Sequence, residues 1–179
     1  KLSVFKEESI KKFTFDSTAL VEEASKALED GCKTGLVAKS ITKKTIKRSP
    51  REPFRTSVLQ QQASNRFGFT PKRTMQIAQS LYAREGGGLI TYIRTDSIEI
   101  DEGKLPSVRG QVASMFGDGF VQPRNYKNKK EAKNIQEAHG AITPVDISLI
   151  PTEAKKVLKD DEFKLYQLIW QRTVASQMK

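Results

Sequence analysis

A mainly α-helical fold with small β elements, organised around a helix-turn-helix, is what this sequence predicts. Three observations carry that prediction. Apolar residues recur at helical spacing in four stretches between residues 17 and 116, and again toward the C-terminus. Two of those stretches are joined only by Gly68 and Phe69, the tight turn of a helix-turn-helix. A short β-branched run, "LITYI", follows them directly, so a winged-helix-like arrangement is expected.

The elements follow in order. In "FDSTALVEEASKALEDG", Asp16 or Ser17 can cap a helix whose stripe is Leu20, Val21, Ala24, Ala27 and Leu28, with Gly31 as its stop. "KTGLVAKSITKKTIKR" has many β-branched residues and lysines but no helical stripe, which predicts a long, solvent-washed strand. "SPREPF" breaks the chain at Pro50 and Pro53, placing a domain boundary there: 1–50 and 51–179.

The second domain opens with "TSVLQQQASNRFG", where Ser57 and Gln60 have capping-box spacing and Gly68 ends the helix. "TPKRTMQIAQSLYARE" has Thr70 as its cap and Pro71 in the first turn, where a missing N–H does no harm. Past the strand, Leu105, Val108, Val112, Met115 and Phe116 predict an inward-facing helical stripe. A polar, basic loop covers 118–134, and His139 lies in a short apolar segment ending at Pro144. Two closing helices are expected within 151–179, with Phe163, Tyr166, Leu168, Ile169 and Trp170 supplying core.

The 179 residues are 37% hydrophobic and 29% charged, the balance of a globular protein. No apolar run reaches the roughly 18 residues of a membrane span, and "KLSVFKEESIKKF" lacks the apolar core of a secretion signal. One cysteine and one histidine cannot assemble a disulfide or a His/Cys zinc site, which favours an intracellular location. Net charge is +10, and cations cluster at Lys43, Lys44, Lys47, Arg48, Arg51 and Arg55, and again at Lys127, Lys129, Lys130 and Lys133. Clustered cations release counterions from a phosphate backbone, so nucleic acid is the expected partner.

Tyr92 and Arg94 stand two apart in "GLITYIRTDS", so in a strand both side chains share one face, with Leu89, Thr91 and Ile93 on the other. An ordinary phenol, with a pKa of about 10, is ionised roughly once in a thousand at neutral pH, a cost of about 4 kcal/mol against acting as a nucleophile. A guanidinium fork on a phosphate would offset part of that cost in the transition state. Glycines 86–88 allow the backbone to lie close to a bulky ligand. Alone, a Tyr-x-Arg pair is more often an ordinary surface feature than a site.

Four segments in order change that weighting: "PFRTSVLQQQASNRFGFTPKRTMQIAQSLY", "GLITYIRTDS", "QEAHGAITP" and "LYQLIWQRTVASQM". Together they resemble consecutive motifs of the type IA DNA topoisomerases, the bacterial topoisomerase I kind. The resemblance implies that Tyr92 attacks a single-stranded DNA phosphate and forms a transient 5′-phosphotyrosine, allowing strand passage and religation. It implies that Arg94 acts near the scissile phosphate, that His139 lies near the DNA backbone and that Gln79 is close to the active site. Lys72 and Arg73 on the second helix, and Arg55 in the basic cluster, complete the expected DNA contacts. Gly140 and Thr143 depart from the family pattern, standing where Glu and Arg are usual.

Mg²⁺ in such enzymes is held by an acidic Toprim domain. No such motif occurs here, since the acids of "KDDEF" fall at helical positions, so the metal ligands are expected outside this chain. The chain is then a central fragment. Residues 1–50 form part of an arch domain and 51–179 carry the tyrosine, inactive alone. A monomer in the cytoplasm at the bacterial nucleoid, acting on negatively supercoiled DNA, is the implied setting. A second reading is a winged-helix transcriptional regulator using Lys72, Arg73, Gln76 and Gln79 in a major groove. A structural RNA-binding role rests on charge alone.

Overall fold

The computed structural model describes residues 17–33, 40–46, 49–128 and 139–179, in two units, Lys1–Ile46 and Lys47–Lys179. In the first unit, helix α1 spans Thr18–Lys33. Ser17 caps it, with Leu20 N donating to its Oγ at 3.4 Å. The helix passes Gly31, the expected stop, and closes with Lys33 paired to Asp30 at 2.8 Å, a cation at the negative end of the helix dipole. Its apolar stripe stays uncovered: Leu20, Val21 and Leu28 are exposed, and no residue of α1 is buried. Of the expected strand, 34–39 and 47–48 lie outside the described residues, and 40–46 form none. All seven of these residues are exposed, and β-branched side chains favour a strand only when a packed surface receives them.

The second unit contains α2 (Thr56–Phe67), α3 (Pro71–Tyr82), α4 (Leu105–Phe116), α5 (Pro151–Ala154) and α6 (Asp160–Ser176). Helix α6 is the hub, with α3, α4 and α5 packed on it. It buries Leu165, Leu168, Ile169, Trp170 and Val174, each contributing about 1.5–3 kcal/mol of hydrophobic stabilisation. Helix α3 offers Thr74, Ile77, Ala78 and Leu81, one face at i, i+3, i+4 and i+7. Thr70 caps α3 by accepting from Arg73 N at 3.2 Å, with Pro71 at its first position. Helix α2 ends on Gly68 at φ 69, as expected, but starts two residues early. Arg55 is its N-cap residue, so Ser57 lies inside the helix and no capping box forms. Helix α4 buries Leu105, Val108 and Val112, whereas Met115 and Phe116 of the predicted stripe are exposed.

One edge of α3 is fastened to the start of α6 by polar groups. Arg73 pairs with Asp161 at 2.8 Å, Ser80 Oγ donates to Glu162, and Arg84 lies 3.8 Å from Glu162. Arg73 and Ser80, seven apart, share one row of α3, and Arg84 follows just past its C-terminus. The acids of "KDDEF" therefore sit in the first turn of α6, facing the positive end of its dipole and the cations of α3. Glu162 also accepts from Lys159 N at 3.1 Å.

Regular β structure is absent among the described residues. Antiparallel bridges occur singly at Phe54–Ile142, Ile90–Pro144 and Val121–Met178. The run after α3 is extended without forming a strand, and no wing is present among the described residues. Its alternation also fails: Ile90 and Ile93, three apart, are both buried, and the chain bends at Ile93 and Arg94.

The Ser80 hydrogen bond, ahead of the Lys159 N–H and the Arg84 charge, holds the Glu162 carboxyl below its ordinary range despite its burial. A depressed carboxyl stabilises the fold above its unfolded pKa of about 4.3 and loses that contribution as pH falls through the folded value. Glu162→Gln is expected to cost about 1–3 kcal/mol at neutral pH. It should also flatten the acid limb of stability against pH, as read by circular-dichroism melts.

Candidate active site

Three threonine hydroxyls hold the Tyr92 segment where a sheet ladder was expected. Thr91 Oγ1 donates to Ala141 O at 2.9 Å and accepts from Thr143 N at 2.9 Å. Thr56 Oγ1, at the start of α2, lies 2.7 Å from Ile93 O and accepts from Thr95 N at 2.9 Å. Thr95 Oγ1 donates to His139 O at 3.0 Å and accepts from Ser97 N at 3.0 Å. Each hydroxyl uses both its proton and a lone pair, giving what a neighbouring strand would give. Backbone bonds reinforce the arrangement: Leu89 N to Leu81 O, Thr91 N to Thr143 O, and Thr56 N to Thr95 O, at 2.8, 2.9 and 3.0 Å.

The partner segment 141–147 is itself tied to α6. Trp170 Nε1 donates to Ile147 O at 2.9 Å, and Tyr166 OH to Leu149 O at 2.7 Å. Burial pushes the Tyr166 phenol far above its usual range, with Asp146 adding to the effect, so that hydroxyl serves as a neutral donor.

On this support Tyr92 sits half-buried between two rings. His139 lies 4.6 Å away, centroid to centroid and tilted by 46°, and Tyr82, from the end of α3, meets it edge-on at 5.8 Å. Such contacts restrict the phenol's rotamers while leaving its rim open. His139 is exposed. Arg94 is exposed and has no hydrogen bond or ion pair with a described residue, which leaves its fork available to an anion. The bend at Ile93 and Arg94 removes the strand geometry from which a common face for Tyr92 and Arg94 was expected; the Ile93 carbonyl is turned onto Thr56 instead.

The remaining expected contacts divide. Lys72, Gln79 and Arg55 are exposed, and Lys72, Gln76, Gln79 and Tyr82 line one side of α3 that ends at the Tyr92 ring. Arg73 is on the other edge, committed to Asp161. Ser97 shapes the following turn, its Oγ accepting from Glu99 N at 3.1 Å, whereas Asp96 makes no such bond among the described residues. Gly88 explains the glycine run differently from the sequence expectation. A Cβ there would lie 2.3 Å from Tyr82 O, so the close approach is to α3 and not to a ligand. At Gly140, a Cβ would come 3.0 Å from Glu99 O, and Thr143 is buried. Lys39, Lys47, Arg48, Lys129, Lys130 and Lys133 lie outside the described residues.

Tyr82, Thr56 and Thr95 were not singled out from sequence, and Thr91 was read only as lying on the face opposite Tyr92. Tyr82 had a usable signal, lying three residues beyond Gln79 on the same helical face. Among the described residues, no three His, Cys, Asp or Glu side chains converge, so these residues do not fit a Mg²⁺ site. No helix among them is long and apolar enough to cross a membrane.

A family profile described as DNA topoisomerase matches residues 1–179. The chain is 40% identical over 185 residues to DNA topoisomerase 1 of Rickettsia bellii, covering 99% of this chain and 22% of that protein. Against DNA topoisomerase 1 of Streptomyces coelicolor, identity is 47% over 148 residues, covering 82% and 15%. The structure of full-length topoisomerase I from Thermotoga maritima matches with a TM-score of 0.61 and 40% identity, over 73% of this chain and 21% of that one. This chain belongs to that family, the type IA DNA topoisomerases of the bacterial topoisomerase I kind. It spans about a fifth of the length of the Rickettsia relative.

Two measurements check the site. Thr56→Val keeps side-chain shape but strands the Ile93 carbonyl and the Thr95 N–H, and should lower stability by about 1–3 kcal/mol in urea unfolding. His139→Ala should shift the Tyr92 ring protons in NMR spectra by removing a stacked ring, whereas Lys72→Ala should leave them in place.

Proposed function

We propose that this chain carries the nucleophile of a type IA topoisomerase and that the nucleophile is Tyr92. In this reading, Tyr92 Oη gives up its proton and forms a bond to the phosphorus of a single-stranded DNA phosphodiester. The bond from that phosphorus to the 3′ oxygen breaks, and the 3′ oxygen takes up a proton. Religation runs the same exchange backward, so the covalent link conserves the phosphodiester while another strand passes. Arg94 contributes a free guanidinium for the developing phosphate charge. His139 and Tyr82 hold the phenol in place, and His139 with Lys72, Gln79 and Arg55 contacts the strand. Arg73 contributes only if it leaves Asp161.

The observation that carries this reading is a half-exposed phenol in tilted ring contact with His139, in a motif whose Arg94 is unpaired among the described residues. The regulator reading is weaker, because Arg73, one of its groove-reading residues, is ion-paired to Asp161. Mg²⁺ is proposed to be held by groups outside this chain, and the chain alone to bind single-stranded DNA as a monomer without cutting it. Negatively supercoiled DNA in the bacterial cytoplasm, at the nucleoid, is the proposed setting of the whole protein.

Within the full-length protein and with Mg²⁺, Tyr92→Phe should abolish the denaturant-resistant protein–DNA adduct. Persistence of that adduct would place the nucleophile elsewhere. Arg94→Ala should reduce cleavage far more than binding, and equal losses would show that Arg94 only holds the strand.

A further inference from the structure

A second concentration of cations lies on the segment that leads into Thr56. Arg172 of α6 is half-buried, with its guanidinium over the Phe54 ring at 4.4 Å and Nη1 donating to Glu52 O at 3.3 Å. These contacts fix the plane of a group that has five N–H donors, of which that bond uses one. Arg51 is the immediate neighbour of Glu52. Arg66 is in the last turn of α2, three and seven residues beyond Ala63 and Leu59, which are both buried in the cluster that contains Phe54. It therefore continues the core-facing row of α2 toward the rim.

Burial lowers the Arg172 guanidinium below the usual arginine range, Arg51 and Arg66 lower it further, and Glu52 opposes them. No described residue forms an ion pair with Arg51, Arg66 or Arg172, in contrast to Arg73 and Arg84, which are neutralised by acids of α6. Stacking on Phe54 accounts for Arg172 alone. It does not explain two further guanidinium groups gathered around it against one carboxylate, an arrangement that repels itself until an anion arrives.

We infer that Arg51, Arg66 and Arg172 form a phosphate-binding site, distinct from Tyr92, that takes a backbone phosphate of the DNA strand. Guanidinium forks match two phosphate oxygens, and the stacked Arg172 is pre-oriented for that geometry. The site rests on the reading of DNA as substrate. Its position on 51–54, just before Thr56, puts phosphate binding on the segment that anchors the nucleophile.

The test is fluorescence anisotropy of a labelled oligothymidylate with the full 179-residue chain at several KCl concentrations. Arg51 and Arg66 are exposed, so the Arg51→Gln/Arg66→Gln double variant leaves the core intact. It should bind about tenfold or more weakly. Its plot of log affinity against log salt should be shallower by about 1.4. Lys155→Gln/Lys156→Gln removes the same charge elsewhere and should keep the wild-type slope. An arginine variant that binds like wild type, or a lysine variant that loses as much, overturns the site. Inorganic phosphate at matched ionic strength is the second probe. If it shifts the Arg172 Nε–H NMR signal and oligothymidylate does not, the site takes a free anion and the DNA assignment fails. Wild-type chain that binds no oligothymidylate would sink the substrate reading as well, whereas normal wild-type binding with an unaffected arginine variant sinks only this site.

Discussion

The hydroxyl of Thr56 joins the first helix of the pair to the segment that carries Tyr92. It meets the Ile93 carbonyl and the Thr95 N–H, and the hydroxyl of Thr95 in turn holds the carbonyl of His139. Through two side chains, the start of α2 thus sets where the imidazole stands against the phenol. A β-ladder could hold such a segment, but it would alternate faces strictly and leave no room for the bend at Ile93 and Arg94. Side-chain-to-backbone bonds anchor the chain while letting it turn. That freedom presents the phenol at the surface with two rings around it.

Support for this arrangement runs back to α6. Its Trp170 and Tyr166 fix 147–149, that stretch continues into 141–145, and 141–145 pairs with 89–91. On its other side, the acids in the first turn of α6 neutralise Arg73 of α3 and Arg84 just beyond it. One helix therefore supplies apolar burial to the core, donors to the loop behind the tyrosine, and counter-charge to the helix that brings Tyr82. Arg94, two residues past the tyrosine, and Arg51 and Arg66 have no ion-pair partner among the described residues.

Helices were the most legible part of the sequence, because caps and stripes are local. Thr70 with Pro71 marked the start of α3, and Gly68 the end of α2. Ser57 misled by two residues: its spacing to Gln60 suits a capping box, but the chain enters α2 at Thr56, whose N–H and hydroxyl are already engaged with Thr95. Met115 and Phe116 continue the predicted stripe of α4 yet are exposed. "LITYI" was misread as a strand because β-branched residues also serve extended segments fastened by other means. The threonines that do the fastening are invisible to periodicity, since their partners lie about 40 to 50 residues away. His139 was singled out through motif order, and its ring contact with Tyr92 is a tertiary fact that no spacing along the chain encodes.

Amide hydrogen exchange at Thr91 and Thr95 tests the central claim most directly, that Tyr92 is presented by a fixed segment and not by a mobile loop. If the threonine-anchored arrangement holds, both amides exchange about as slowly as those in the middle of α6. Exchange at the rate of the open Gly86 amide would mean that these bonds do not persist, and that the phenol's placement beside His139 is not built into the fold.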